Sequence, residues 1–309
     1  MTEGNRRAIL AALFANLGIA IAKFVAWSVT GAASLLAEAV HSVADVTNQA
    51  LLILGGARAT REPTPEHPFG YGRERYFWAF VVSIVLFLLG GLFAITQGLD
   101  KLRHPHDLAE PAWAIGVLLV GIVLEGFSFR MAVIEANKVR GAAGWWAFVR
   151  RTKNAELPVV LLEDAGALLG LCIALAGVVL AETTGDPSWD ALGSVGIGIL
   201  LAVIAVVLAV EMKSLLIGES ARIADQAEIQ RTLEAHPAVR RLIHMRTLHL
   251  GPDELLIGAK LELAPRLDFV AVARTLNEIE ASLRERIPSA RIIYLEPDVH
   301  SEAELPGQG

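Results

Sequence analysis

Ser34-Leu35-Leu36-Ala37-Glu38-Ala39-Val40-His41-Ser42-Val43-Ala44-Asp45-Val46-Thr47-Asn48 is the stretch that decides the fold. Ser34, Glu38, His41, Asp45 and Asn48 follow one another at spacings of four, three, four and three. At about 100° per residue these positions fall along one narrow stripe of a helix whose other residues are mostly apolar. An ionisable side chain at membrane depth costs roughly 2.5–3.5 kcal/mol on insertion scales, so three in one stripe argue for a water-filled path or a bound cation. His41-x-x-x-Asp45 points an imidazole and a carboxylate into one volume, half of a four-coordinate nitrogen and oxygen site for a divalent ion. The competing account is packing, in which the two side chains hydrogen bond each other or neighbouring helices.

The rest of the chain supports a membrane setting. An apolar fraction of 54%, a mean hydropathy of +0.49 and 19% charged residues leave too little charge to cover a soluble protein of 309 residues. Apolar stretches long enough for a hydrocarbon core of about 30 Å lie near 8–29, 34–57, 76–99, 111–132, 156–181 and 189–217. They predict a six-transmembrane-helix bundle over residues 1–217, with both termini on one side. Arg6, Arg7, Arg58, Arg61, Arg73, Arg75, Lys138, Arg140, Arg150, Arg151 and Lys153 fall on that side, against Lys101 and Arg103 opposite, so the termini are expected in the cytoplasm. The polar start and the length of the first apolar run predict a retained span rather than a signal peptide, and the cell (inner) membrane is expected. A net charge of −6 and a pI near 5.8 argue against a nucleic-acid partner. Cys172, the only cysteine, excludes an internal disulfide or a thiolate cage and is expected to be a small buried hydrophobe.

From residue 218 the pattern becomes that of a soluble domain. Helices are predicted at 226–235 and 269–287, and strands at 239–250, 254–263 and 290–295, with Gly251-Pro252-Asp253 as the turn between the first two strands. The order αββαβ predicts a ferredoxin-like α+β cytosolic domain over 218–309, a three-stranded sheet with two helices on one face. Its open edges and face suit pairing with a second subunit.

Other intramembrane acids are candidates to complete a site. Glu163 and Asp164 are adjacent in the fifth span; because neighbouring helical residues diverge by about 100°, one is expected to ligate and the other to serve a neighbouring helix or a proton. Asp164 is the first choice as ligand. Glu125, one turn before Ser128, and Asp190, near Ser194, join Glu38 and Asn48 as secondary or pathway residues. An interhelical hydrogen bond accounts for Glu125 equally well, and placement at a helix N-terminus is the simpler account of Asp190. Lys23 is expected to snorkel or to pair with a carboxylate.

Six spans, cytosolic ends, the second-helix stretch Ser34 to Asp45 and an αββαβ tail together resemble the cation diffusion facilitator family, over nearly the whole chain. More narrowly, His67-Pro68-Phe69-Gly70-Tyr71-Gly72-Arg73, Leu162-Glu163-Asp164-Ala165-Gly166-Ala167-Leu168-Leu169-Gly170 and His249-Leu250-Gly251-Pro252-Asp253 are similar to the branch related to eukaryotic zinc transporter 9. The resemblance implies a homodimer in the lipid bilayer that exports zinc or a related divalent cation from the cytosol in exchange for protons. It implies ligands paired between the second and fifth helices, and no prosthetic group.

His41 and Asp45 match the family motif, but on the fifth helix Val160 stands where the common pattern has a histidine before Asp164. One nitrogen and two or three oxygens make a harder site than is usual for zinc, which brings in manganese, iron(II) and cobalt, beside cadmium, with Asn48, Glu163 or water completing the shell. In the tail Lys260 and Tyr294 stand where some relatives have histidines, and His236, His244, His249 and His300 form no recognisable cluster. His67 likewise faces Tyr71 rather than a second histidine. The basic loop 137–155 carries Trp145 and Trp146, read as interfacial anchors. An enzyme is not expected: an intramembrane metalloprotease needs His-Glu-x-x-His, and here Ser42 follows His41. A non-transporting membrane scaffold or sensor is the remaining alternative.

Overall fold

A computed structural model describes residues 3–299, with side chains from Leu17 onward. The chain divides into two compact units. One comprises the described residues up to Arg58 together with Glu74–Lys213, the other Ala59–Arg73 together with the described residues from Ser214.

The first unit is helical: α1 (Glu3–Thr30), α2 (Ala33–Ala59), α3 (Glu74–Arg103), α4 (Pro111–Arg140), the short α5 (Trp145–Arg151), α6 (Glu156–Thr184) and α7 (Ser188–Ile217). Of these, α3, α4, α6 and α7 are long and apolar enough to cross a membrane, and the protein is an integral membrane protein. The other two expected spans fall short on those measures: the apolar described part of α1 is Leu17–Thr30, and the polar stripe interrupts α2. α1 stops at Gly31, whose φ of 65° suits a residue without Cβ and whose N–H reaches the Trp27 carbonyl at 2.8 Å. Pro111 opens α4, where its missing N–H costs nothing.

Within α3 the residues Leu86–Leu92 form π-helical turns around Gly90 and Gly91. There α3 and α7 approach backbone to backbone: a Cβ on Gly198 would lie 2.6 Å from the Gly91 carbonyl oxygen and 2.7 Å from the Ile95 nitrogen. Gly198→Val is therefore expected to pry the helices apart and cost about 1–3 kcal/mol, the usual range for overpacking. A lowered unfolding midpoint in detergent checks this, and an unchanged one would show that the two helices separate freely.

α5 turns Phe148 and Val149 onto Ala136 of α4 and Leu161 of α6, leaving Trp145 and Trp146 exposed. The Arg140 guanidinium lies 4.3 Å over the Trp145 ring. Cys172 is not the buried hydrophobe expected: α6 turns Leu171 and Ala174 inward, and position 172 faces out of the bundle.

The second unit contains α8 (Ile223–Glu234), β1 (Val239–Gly251), β2 (Glu254–Leu263), α9 (Phe269–Arg286) and β3 (Ala290–Pro297). The sheet order is β1-β2-β3, with β1 and β2 antiparallel and β2 and β3 parallel, so the chain crosses over through α9. Asp268 caps α9 by accepting from the Ala271 N–H at 2.7 Å. Alternate β2 residues Leu255, Ile257, Ala259 and Leu261 are buried with Ile229 and Leu233 of α8 and Ile279 and Leu283 of α9. This is one helix-covered face of a small α/β domain.

On the alternate positions, Lys260 donates to Asp298 at 2.9 Å and pairs with Glu296 at 3.4 Å. The hydrogen bond to Asp298 raises Lys260 above the ordinary lysine value, and the same bond holds Asp298 below the ordinary carboxylate value. The Lys260 contribution to stability is complete below the unfolded lysine pKa and is lost as pH rises through the raised folded one. The Asp298 contribution is complete above the unfolded carboxylate pKa and is lost as pH falls through the depressed folded one. Protection of the Asp298 amide, which donates to the Leu261 carbonyl at 2.9 Å, is thus expected to be flat between the carboxylate and lysine ranges and to weaken beyond either. Hydrogen exchange on the full chain checks this, with Lys260→Met removing the loss on the alkaline side; an alkaline loss that persists in that variant would contradict the assignment.

Candidate cation site in the helical unit

The stripe on α2 is buried along most of its length and meets α7, α1 and α6 in turn. At the Ser34 end, Asp190 of α7 accepts from the backbone N–H groups of Ala33 (2.7 Å) and Ser34 (3.3 Å) and from the Ser34 hydroxyl. It also accepts from the Lys101 ammonium at 2.9 Å. Asp190 thus serves the N-terminus of α2 as well as standing in the first turn of its own helix. Lys101, counted above as a charge facing the outer loops, is buried at 3% exposure.

One turn along, Lys23 of α1 donates to Glu38 Oε2 at 3.2 Å and to the Ser42 hydroxyl at 2.8 Å. Of the two expectations for Lys23, pairing holds. The other carboxylate oxygen of Glu38 rests over Gly170 of α6, where any Cβ would collide with it.

His41 is fully buried. Its Nδ1 lies 3.5 Å from Asp45 Oδ1, and neither ring nitrogen nor Asp45 Oδ1 has a hydrogen-bond partner. Asn48 donates to Glu163 Oε1 at 2.9 Å, while its own Oδ1 is unpartnered.

The adjacent acids of α6 diverge as helix geometry requires. Glu163 turns to α2, whereas Asp164 accepts from the Ser128 hydroxyl of α4 at 2.9 Å. The acid in contact with the stripe is therefore Glu163, while Asp164, the first choice as ligand, bonds Ser128 of α4. Glu125 of α4 is half-buried.

Five buried polar atoms in one file have no hydrogen-bond partner: Glu38 Oε1, His41 Nδ1 and Nε2, Asp45 Oδ1 and Asn48 Oδ1. Each such atom ordinarily costs about 1–3 kcal/mol. Three of the five belong to the His41–Asp45 pair and two flank it by one turn, and all are acceptor oxygens or imidazole nitrogens, the donor chemistry of a hard to borderline cation. Among the described residues no three His, Cys, Asp or Glu side chains are already gathered in coordinating geometry. The donors are aligned but not closed around a point.

Elsewhere the histidines have ordinary neighbours. His236 meets Glu278 at 3.3 Å, and the His67 and Tyr71 rings stack edge to face at 4.7 Å. His300 lies outside the described residues. Lys101 and Gly170 were missed as contributors in the sequence. The available signal was an acid, Asp190, and a base, Lys101, at matching ends of neighbouring apolar helices.

The profile of the cation efflux transmembrane domain matches residues 9–217. A Xenopus laevis protein named proton-coupled zinc antiporter SLC30A9, mitochondrial, is 32% identical over 285 residues, covering 90% of this chain and 51% of that protein. The chain thus spans about half the length of that relative. A protein of Pectobacterium atrosepticum named cation-efflux pump FieF is 25% identical over 300 residues, covering 96% of this chain and 94% of the pump. A solved nickel form of the MamM C-terminal domain aligns with 26% of this chain and all of that domain, at 18% identity and a TM-score of 0.24. With the profile covering well over half of its residues, the chain belongs to the cation efflux family.

Proposed function

We propose that this protein exports divalent metal cations by exchange for protons, with His41 and Asp45 of α2 and one of the adjacent acids of α6, Glu163 ahead of Asp164, as the ligands. Glu38, Asn48, Glu125 and Asp190 mark the rest of the path. The observation that carries this reading is the file of unpartnered buried atoms centred on His41 and Asp45. The names of the relatives, a proton-coupled zinc antiporter and a cation-efflux pump, support it. Zinc is the leading substrate; the absence of a histidine at Val160 and the oxygen-rich donor set keep manganese, iron(II), cobalt and cadmium as candidates. No prosthetic group is needed, and the protein is a transporter rather than an enzyme.

The exchange follows from the ligands. A cation needs a neutral imidazole and ionised carboxylates, so it competes with protons for the same atoms. A proton on His41, Asp45 or Glu163 has to leave as the ion arrives, and one returns when the ion departs to the other side. A two-state bundle that presents the file alternately to each side converts this competition into counterflow.

The same reading has α1, α2, α3, α4, α6 and α7 as six spans of a transport domain over residues 1–217. Both termini are cytoplasmic, supported by the excess of Arg and Lys on that side, and the membrane is the inner cell membrane. Residues 218–309 form a ferredoxin-like cytosolic domain whose sheet face away from α8 and α9 pairs two subunits into a homodimer.

Purified protein in proteoliposomes is expected to accumulate at least one of zinc, manganese, iron(II), cobalt or cadmium, whereas a scaffold or sensor takes up none. Because Glu163 rather than Asp164 touches the stripe, Glu163→Gln is expected to reduce uptake about tenfold more than Asp164→Asn, by analogy with ligand over supporting contacts. Equal effects would show that both acids reach the ion.

A further inference from the structure

We propose that two buried ion pairs, Lys23–Glu38 and Lys101–Asp190, are the closed outer gate of the ion path. The proposal rests on the transport reading above and assigns Lys23 and Lys101 as positioning residues.

Both pairs lie on one side of the ligands, toward the Ser34 end of α2. At 1.5 Å per residue, Glu38 is about 4.5 Å from His41 along the helix and Ser34 about 10 Å. All four charged side chains are at most 2% exposed, while Asp45, on the other side of His41, is 13% exposed. The file is therefore shut toward the Ser34 end.

The two pairs also tie together the helices that would have to part. Lys23 holds α1 to α2 through Glu38 and Ser42, and Glu38 seats on α6 at Gly170. Lys101 holds the end of α3 to α7 through Asp190, and to the α1–α2 turn through the Gly31 carbonyl at 3.3 Å. Asp190 in turn grips the first residues of α2.

An ion moving outward from His41 meets Glu38 next, and finds an ammonium already on it. Farther on, Asp190 has its oxygens committed to Lys101, Ser34 and two backbone N–H groups. The carboxylates along the exit are each neutralised by a tethered cation that repels a divalent ion, and of their oxygens only Glu38 Oε1, seated on Gly170, is without a hydrogen-bond partner. Passage requires the pairs to separate, and re-forming them expels the ion and reseals the path. Had the pairs served only as packing glue, well-packed neutral replacements would leave the path as tight as before.

The test uses full-length protein in proteoliposomes loaded with zinc, with equal pH on both sides and proton counterflow clamped. Two doubly neutral variants avoid an unpaired buried charge: Lys23→Met with Glu38→Gln, and Lys101→Met with Asp190→Asn. Each is expected to raise uncoupled zinc leak about tenfold or more, as the open population rises by that factor. Lys23→Arg, which keeps the charge pair, is expected to stay tight. Folded double variants that leak no faster than the parent would overturn the gate, and so would failure of both doubles to fold, which would make the pairs structural. Exchange in the parent protein separates the two claims: its absence sinks the transport reading, whereas its presence with tight doubles sinks only the gate.

Discussion

Asp45→Ala is expected to lower metal exchange by about two orders of magnitude, at the upper end of what losing a metal-site contact costs, while the protein stays folded. Asp45 lies one turn before Asn48, which donates to Glu163, and its own Oδ1 has no hydrogen-bond partner. Truncating a buried acceptor that is already unsatisfied removes an unfavourable group rather than a bond, so stability should hold or rise. The packing account makes the opposite forecast, a loss of stability with little effect on flux. Flux and unfolding midpoint measured on the same preparation separate the two, and normal exchange in this variant would remove the α2 file as the ion site.

The largest loss of stability is expected from Lys101→Met. It strands Asp190, whose side chain is 0% exposed, without its cation. Removing one partner of a buried ion pair typically costs about 3–5 kcal/mol, because the remaining charge is desolvated and uncompensated. Asp190 would keep the Ala33 and Ser34 donors, which places the effect toward the lower end of that range. Asp190→Asn strands Lys101, 2% exposed, in the same way, though its amide oxygen still accepts from the α2 N-terminus. Detergent unfolding midpoints for the two variants decide the order, and a Lys101→Met protein as stable as its parent would show that the pair is dispensable to the fold.

These residues also show how far the sequence could be read. The stripe Ser34, Glu38, His41, Asp45 and Asn48 was legible because helix period alone puts those positions on one face. The tail elements were legible because strand alternation and the Pro252-Asp253 turn are local signals, with α8 beginning at Ile223 rather than 226 and β3 running to Pro297 rather than 295. What periodicity leaves open is the rotation of each helix against its neighbours. Spacing predicted that Glu163 and Asp164 diverge, but only packing against α2 and α4 determines that Glu163 takes the stripe and Asp164 takes Ser128. The same ignorance of rotation misplaced Cys172, and it concealed the pairing of Lys101 with Asp190 across 89 residues of chain. The π-helical turns at Leu86–Leu92 arise from close packing on α7, which no pattern within that segment announces.

The most direct measurement is simultaneous recording of metal and proton movement across sealed proteoliposomes containing the unmodified protein. A zinc gradient should drive protons the opposite way, and a proton gradient should drive zinc, with both flows abolished together by Asp45→Ala. Metal movement without proton counterflow, or neither flow with any of the five metals in folded protein, would contradict a cation–proton exchange site on α2.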